Sequence, residues 1–133
     1  MKLLAMGVGA SLIAMLGGCA STSPDAHDAR DRAIEFHQAL DSGDDQTACD
    51  LLAPQTLTEL QRETDAACPE ALAALDLAPG GDPVHATAYG LSAQVVLTGD
   101  TVFLVHTPSG WLVTAAGCRP VPDKPYDCEV KGE

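Results

Sequence analysis

Apolar residues in the first part of the chain recur with the period of an α-helix. They are spaced by four, three and four positions after Asp25, and such spacing places them on one helix face. Asp25, or Ser23 before the proline, is suited to cap the start, and Gly43 is suited to end the helix. The pattern therefore predicts a long first helix whose apolar face carries Ala29, Ala33, Phe36 and Leu40.

Three shorter helices are predicted to follow. Asp44 or Asp45 can cap the second, which carries apolar residues up to Leu52. Pro54 is placed to start the third helix, and Pro69 to open a fourth over Glu70 to Leu75. Residues 78–83 are rich in proline and glycine, so they end the helical part.

Beyond this break the pattern changes to that of β-strands. Gly99-Asp100 is a two-residue hairpin signal. Connections as short as this one can join only antiparallel neighbours. The part from Arg119 to Glu133, rich in proline and charge, is expected to be a tail that a Cys118–Cys128 disulfide would pin back against the last strand. The fold class predicted is α+β, with helices on a curved antiparallel meander of about four strands: Val84–Tyr89, Ala93–Thr98, Thr101–Thr107 and Trp111–Ala115.

Both faces of this sheet are expected to be apolar. Consecutive apolar residues occur in three of the strands, for example Val102-Phe103-Leu104-Val105. The helices can cover one face only, so the other curls into a pocket or meets a partner protein or a second copy. The pattern does not decide which of Val102 and Phe103 points outward.

Composition narrows the classes of partner. The chain has 133 residues, enough for one domain, with 19 acidic and 7 basic residues and a formal net charge of -12. A balance this acidic repels nucleic acid, so no nucleic-acid partner is expected. Aromatic residues make up only 4 %, so the core is built from small side chains and would benefit from cross-links.

The first residues have the pattern of an export signal. Lys2 precedes an uncharged apolar run from Leu3 to Leu16. As a helix this run spans about 21 Å, less than the ~30 Å hydrocarbon core, which favours a signal peptide over a membrane-spanning helix. It ends on Leu16-Gly17-Gly18-Cys19 rather than on an Ala-x-Ala cleavage site.

This ending resembles the lipobox of bacterial lipoproteins. The resemblance implies that residues 1–18 are removed and that Cys19 carries acyl chains. Residues 19–24 would then be a short tether to a single domain, 25–133, held on the extracytoplasmic face of the cell membrane. The alternative is an ordinary secreted protein with an unrelated Cys19.

The cysteine count agrees with a lipidated Cys19. Five cysteines are an odd number, and setting Cys19 aside leaves four for disulfides. Local pairing, which closes short loops, predicts the bonds Cys49–Cys68 and Cys118–Cys128. A four-thiol metal site is disfavoured because the chain has no Cys-x-x-Cys, and neither a metal nor a cofactor is expected.

Residues 25–118 look like the NTF2-like (cystatin-like cone) fold in the order of their elements. Gly110–Cys118 and Pro125–Cys128 are similar to the ends of small bacterial lipoproteins that offer no catalytic residues. NTF2-like enzymes use a His–Asp pair as general base, which makes His37 and His106 candidates, with Asp41, Asp50 or Asp100 as partner. Phe103 and Trp111 complete the candidate pocket.

Two functional hypotheses follow. The first is a non-enzymatic binding or structural module at the membrane surface. The second is a small isomerase or hydratase that uses His106 or His37 as base. A calcium loop at Asp41 is excluded because its third and twelfth positions are Gly43 and Leu52, which supply no carboxylates.

Overall fold

The computed structural model describes residues 24–132. The helices are α1 (Ala26–Asp41), α2 (Asp45–Asp50), α3 (Pro54–Thr64) and α4 (Cys68–Leu75). The strands are β1 (Pro83–Tyr89), β2 (Ser92–Leu97), β3 (Thr101–Thr107), β4 (Gly110–Val121) and β5 (Lys124–Lys131). The strands form one antiparallel sheet in the order β1-β2-β3-β4-β5, so the fold class is α+β, as the sequence predicts.

The helices begin at residues suited to cap them. The Asp25 carboxylate accepts the N–H of His27 at 2.9 Å, and that of Asp44 accepts the N–H of Thr47 at 3.2 Å. Both α3 and α4 carry a proline in the first turn, where its missing N–H costs nothing. Gly43, with φ +74°, lies just past the end of α1. No helix within residues 24–132 is long and apolar enough to cross a membrane.

The core lies between α1 and one face of the sheet. Ala29, Ala33 and Phe36 of α1 are fully buried, and the small alanines let the helix approach the strands closely. They share one cluster with buried residues of three strands, namely Val95, Val102, Leu104 and Val113. Val102 therefore points toward the helices.

The opposite face of the sheet, here called the open face, carries the residues that alternate with this core. Phe103 lies opposite Gln94 of β2, and Val105 lies opposite Leu112 of β4. Directly opposite residues of an antiparallel pair share a face. These four side chains are only partly buried. Phe103, rather than Val102, is thus the outward residue.

The sheet has five strands rather than about four, because the expected tail, which the Cys118–Cys128 disulfide does pin against the last strand, forms a strand itself. The strand expected at Trp111–Ala115 is longer in the structure, where β4 extends to Val121. It is followed by a fifth strand, β5. Three prolines in 120–125 mask the strand pattern in the sequence. Pro125 is tolerated because β5 is an edge strand among the described residues and needs ladder hydrogen bonds on one side only. Pro122 lies in the β4–β5 turn, and Pro120 lies in β4 beyond Cys118, the last residue of that strand paired with β3.

Two disulfides join neighbouring elements. The structure pairs Cys49 of α2 with Cys68 of α4, and Cys118 with Cys128, which is the local pairing predicted from the sequence. Cys118 and Cys128 also lie directly opposite each other in the β4–β5 ladder. Cys19 lies outside the described residues.

Candidate functional site

The structure selects Asp100 as the partner of His37. His37 lies on α1, and Asp100 lies in the turn between β2 and β3. Their side chains meet at 2.7 Å, from Nε2 of His37 to Oδ2 of Asp100. The two side chains are only 6 % and 3 % exposed, so the contact lies in the interior.

Backbone groups of β4 satisfy the rest of the Asp100 carboxylate. The N–H of Gly117 donates to Oδ2 at 3.0 Å, and that of Cys118 donates to Oδ1 at 2.8 Å. Gly117 has φ +63°, a conformation suited to a bulge that turns consecutive N–H groups toward one acceptor. Asp100 therefore joins α1, the β2–β3 turn and β4 through one buried carboxylate.

The loop before β1 closes over the imidazole of His37. A Cβ on Gly80 would lie 2.6 Å from Cγ of His37, so only glycine fits at this distance. The N–H of Gly99 donates to the carbonyl of Gly80 at 2.8 Å and holds the loop in place. Nδ1 of His37 is buried and has no hydrogen-bond partner among residues 24–132. Nε2 is the ring nitrogen that faces the carboxylate, and it donates to Oδ2, which can only accept when ionised.

A shallow cleft lies on the other side of Asp100. Its volume is about 230 Å³. Its walls include the Cys118–Cys128 disulfide and the ion pair between Arg119 and Asp127, whose atoms are 3.1 Å apart. The side chain of Asp100 is only 3 % exposed and both of its oxygens already accept hydrogen bonds, so it presents little of its carboxylate to this cleft.

His106 and Trp111 lie at a different place from His37. They face each other across the β3–β4 ladder, with ring centroids 5.1 Å apart in an edge-to-face arrangement. Both line a cleft of about 290 Å³ beside Arg32 and Glu35 of α1. Trp111 is buried, and its Nε1 has no hydrogen-bond partner within the described chain.

The structure thus does not form the single pocket expected from His37, His106, Phe103 and Trp111. Asp100, which holds His37, precedes β3, whereas His106 is near the end of that strand, about 20 Å away by strand rise. Phe103 lies on the open face, away from the core. Only His106 and Trp111 share a cleft. The sequence pattern places residues on elements but does not show how α1 crosses the sheet.

Phe103 belongs instead to an aromatic cluster on the open face. Its ring meets that of Tyr126 edge to face, with centroids 5.0 Å apart. The amide of Gln94 donates to the hydroxyl of Tyr126 at 2.9 Å. Sequence analysis missed Tyr126 because it assigned this residue to the tail rather than to β5.

The open face carries no formal charge on the strands that form its centre. From Pro83 to Cys118 the chain has no Asp, Glu, Lys or Arg except Asp100, which is buried. At one rim the face borders a cleft of about 380 Å³ lined by Ala53, Pro54, Val105 and Thr114, among others. An uncharged, partly apolar surface of this kind suits contact with another apolar surface.

The acidic run after α1 has a structural role. Within residues 24–132 no group of three or more His, Cys, Asp or Glu side chains is arranged to hold a metal ion. Asp44, in the acidic run after α1, caps α2 instead.

One signal in the sequence could have singled out Asp100. It is the lone charged residue in the long uncharged stretch from Pro83 to Cys118. A charged residue within an apolar stretch is costly to bury, so it is expected to be paired and hydrogen-bonded in the folded protein.

Comparison with protein-family models, with curated proteins and with solved structures gave no match.

Proposed function

We propose that this protein is a lipid-anchored bacterial lipoprotein that acts as a binding or structural module on the extracytoplasmic face of the membrane. Two features of the chain support the anchor. Leu16-Gly17-Gly18-Cys19 ends an apolar run of signal-peptide length. The four cysteines other than Cys19 are paired in two disulfides, so Cys19 is the one left over.

The observation that carries the binding role is the uncharged open face. Without Lys2 the proposed mature chain has 19 acidic and 6 basic residues, a formal net charge of -13, so two copies repel each other except where a contact surface lacks charge. The open face is such a surface, and Phe103, Val105 and Leu112 give it apolar area. Its occupant is a partner protein or a second copy of the chain.

An NTF2-like cone is the finer fold that we propose. It is supported by the order of elements, with all helices before an antiparallel meander. It is also supported by register shifts in β3–β4 and β4–β5, because bulges increase the twist and bend of a sheet.

Two measurements test the proposal. The non-reducing intact mass of protein from host membranes should equal residues 19–133 plus acyl chains, less four hydrogens for two disulfides. A mass without acyl chains would overturn the anchor. Cross-linking in the same membranes should capture a complex that Phe103→Asp abolishes. Ser109→Asp, the same added charge in the exposed β3–β4 turn, should leave the complex intact.

A second candidate function, an enzyme with His37 as base, is favoured by one observation. Asp100 orients Nε2 and leaves Nδ1 without a partner, as a general base requires. Burial under Gly80 opposes this function, because a substrate would have to displace the loop. Treatment of the folded protein with diethyl pyrocarbonate, which modifies accessible imidazoles, distinguishes the enzyme from the binding module. The exposed His27 and His85 should react and His37 should not, whereas rapid modification of His37 would favour the enzyme.

A further inference from the structure

The exposed large apolar side chains of residues 24–132 belong to one segment of the chain. They are Val84, Tyr89 and Leu91, with exposed fractions of 64 %, 78 % and 61 %. Val84 and Tyr89 are on β1, and Leu91 is in the turn that follows it. We call the segment Pro83–Leu91 the β1 edge, because β1 is the first strand of the sheet and no other described strand lies on its outer side.

The β1 edge is also free of charge. No Asp, Glu, Lys or Arg occurs from Pro83 to Gly99, whereas residues 24–82 hold 14 of the 19 acidic residues. Transfer of this edge into a lipid interface would therefore not require burial of an ionised group. Tyrosine, with an apolar ring and a polar hydroxyl, is enriched at such interfaces.

The start of β1 lies next to the start of the described chain. A groove of about 270 Å³ between α1 and β1 is lined by Ala26, His27 and Arg30 on one side and by residues 83–86 on the other. Pro24 comes two residues before Ala26. The proposed lipid on Cys19 is separated from Pro24 by only four residues, so their Cα atoms are at most about 18 Å apart.

We propose that the β1 edge rests on the phospholipid bilayer, with Val84, Tyr89 and Leu91 in the interface. This inference depends on the lipid anchor proposed above. The tether keeps the start of α1 close to the membrane, and the groove places β1 beside that start. A bilayer fits this edge better than an added strand, because the ladder is irregular between Pro83 and His85, at the end that carries Val84.

The contact is made by apolar side chains rather than by attraction to anionic lipid. Asp25 and Asp82 flank the groove in the sequence, and Arg30 is already paired with Asp31 at 3.0 Å. His27 and His85 are the remaining titratable side chains nearby. The contact should therefore form on zwitterionic phosphatidylcholine and should not depend on added salt.

Quenching by brominated lipid tests the orientation. The full lipoprotein is purified from host membranes as Leu91→Trp and as Val84→Trp and placed in vesicles of brominated phosphatidylcholine. Asp123→Trp, in the exposed turn between β4 and β5, is the matched control. The indoles added at positions 84 and 91 should lose most of their emission. The indole at 123 and the native Trp111 should keep theirs.

Each outcome has a distinct meaning. A protein mass without acyl chains would defeat the proposed anchor itself. If acyl chains are present but the indoles at 84 and 91 are no more quenched than that at 123, the anchor stands and the orientation is wrong. Unquenched indoles together with a dimer that Tyr89→Asp disrupts would show that a second copy covers the edge, which also overturns the inference.

Discussion

The helical part of the protein and the centre of the sheet are stabilised in different ways. Residues 24–82 include 14 acidic and three basic residues, whereas residues 83–118 include one charged residue, Asp100. The helices place their charges in water around an alanine-rich buried face, and a disulfide joins two of them. The strands are joined by backbone ladders and need few charges, which leaves the open face neutral. Asp100, the lone charged residue of 83–118, lies in the β2–β3 turn and is the one that connects these strands to α1.

Adjacent residues of β3 provide the strongest test of this contrast. Val102→Asp places a carboxylate in the core without a partner, so we expect a loss of more than about 4 kcal/mol and little folded protein. Phe103→Asp places the same charge on the open face and should leave the fold intact. Denaturant unfolding of the two variants measures the difference. Equal destabilisation would show that β3 does not separate core from open face.

Removal of the buried charge should have the next largest effect. Asp100→Ala leaves the N–H groups of Gly117 and Cys118 and the Nε2 of His37 without their acceptor, so we expect a loss of about 3–5 kcal/mol. Asp123→Ala, at an exposed turn, is the control and should change the free energy of unfolding little. A loss below 1 kcal/mol at Asp100 would mean that water replaces these bonds readily.

The two disulfides should differ in their contribution. Cys49–Cys68 spans 19 residues between helices that no ladder joins, and its loss should cost about 3 kcal/mol. Cys118–Cys128 spans 10 residues within a strand pair already hydrogen-bonded in register, so its loss should cost less. Thermal unfolding of the two double Cys→Ser variants ranks them. The reverse order would show that the β4–β5 ladder is weak without its cross-link.

The loop over His37 should respond to one added methyl group. Gly80→Ala places a Cβ against the imidazole, so we expect a loss of about 1–3 kcal/mol and a more accessible His37. Gly43→Ala adds the same methyl group in open space at a position of positive φ, so any loss of stability there comes from the backbone and not from contact with His37. Diethyl pyrocarbonate modification of His37 should increase in the first variant only.

The smallest effect is expected at the start of α2. Hydrogen bonds from the side chain and then the backbone of Thr47 hold the pKa of Asp44 below its ordinary value of 3.8. Because the pKa is lowered in the folded state, the stabilisation is present above pH 3.8 and is lost as the pH falls through the lowered pKa. Asp44→Asn should therefore destabilise slightly at neutral pH and not at very low pH. Urea unfolding at several pH values checks this, and a constant difference would exclude the ionic contribution.

Much of the architecture could be predicted because it depends on short stretches of chain. The caps at Asp25 and Asp44, the prolines that open α3 and α4 and the Gly99-Asp100 turn act within a few residues. The strand β5 escaped prediction because its pairing with β4, rather than its own pattern, makes it a strand. Tyr126 was missed for the same reason.

The sequence by itself determined where the helices begin, that the strands form a meander, and that the proposed anchor and the disulfides draw on five cysteines. Only the tertiary structure decided which of Val102 and Phe103 is buried, that Asp100 is the partner of His37, and that His106 lies at another place. The reason is physical: periodicity and turn chemistry act along the chain, whereas these choices depend on the angle at which α1 crosses the sheet. That angle follows from the packing of the whole core.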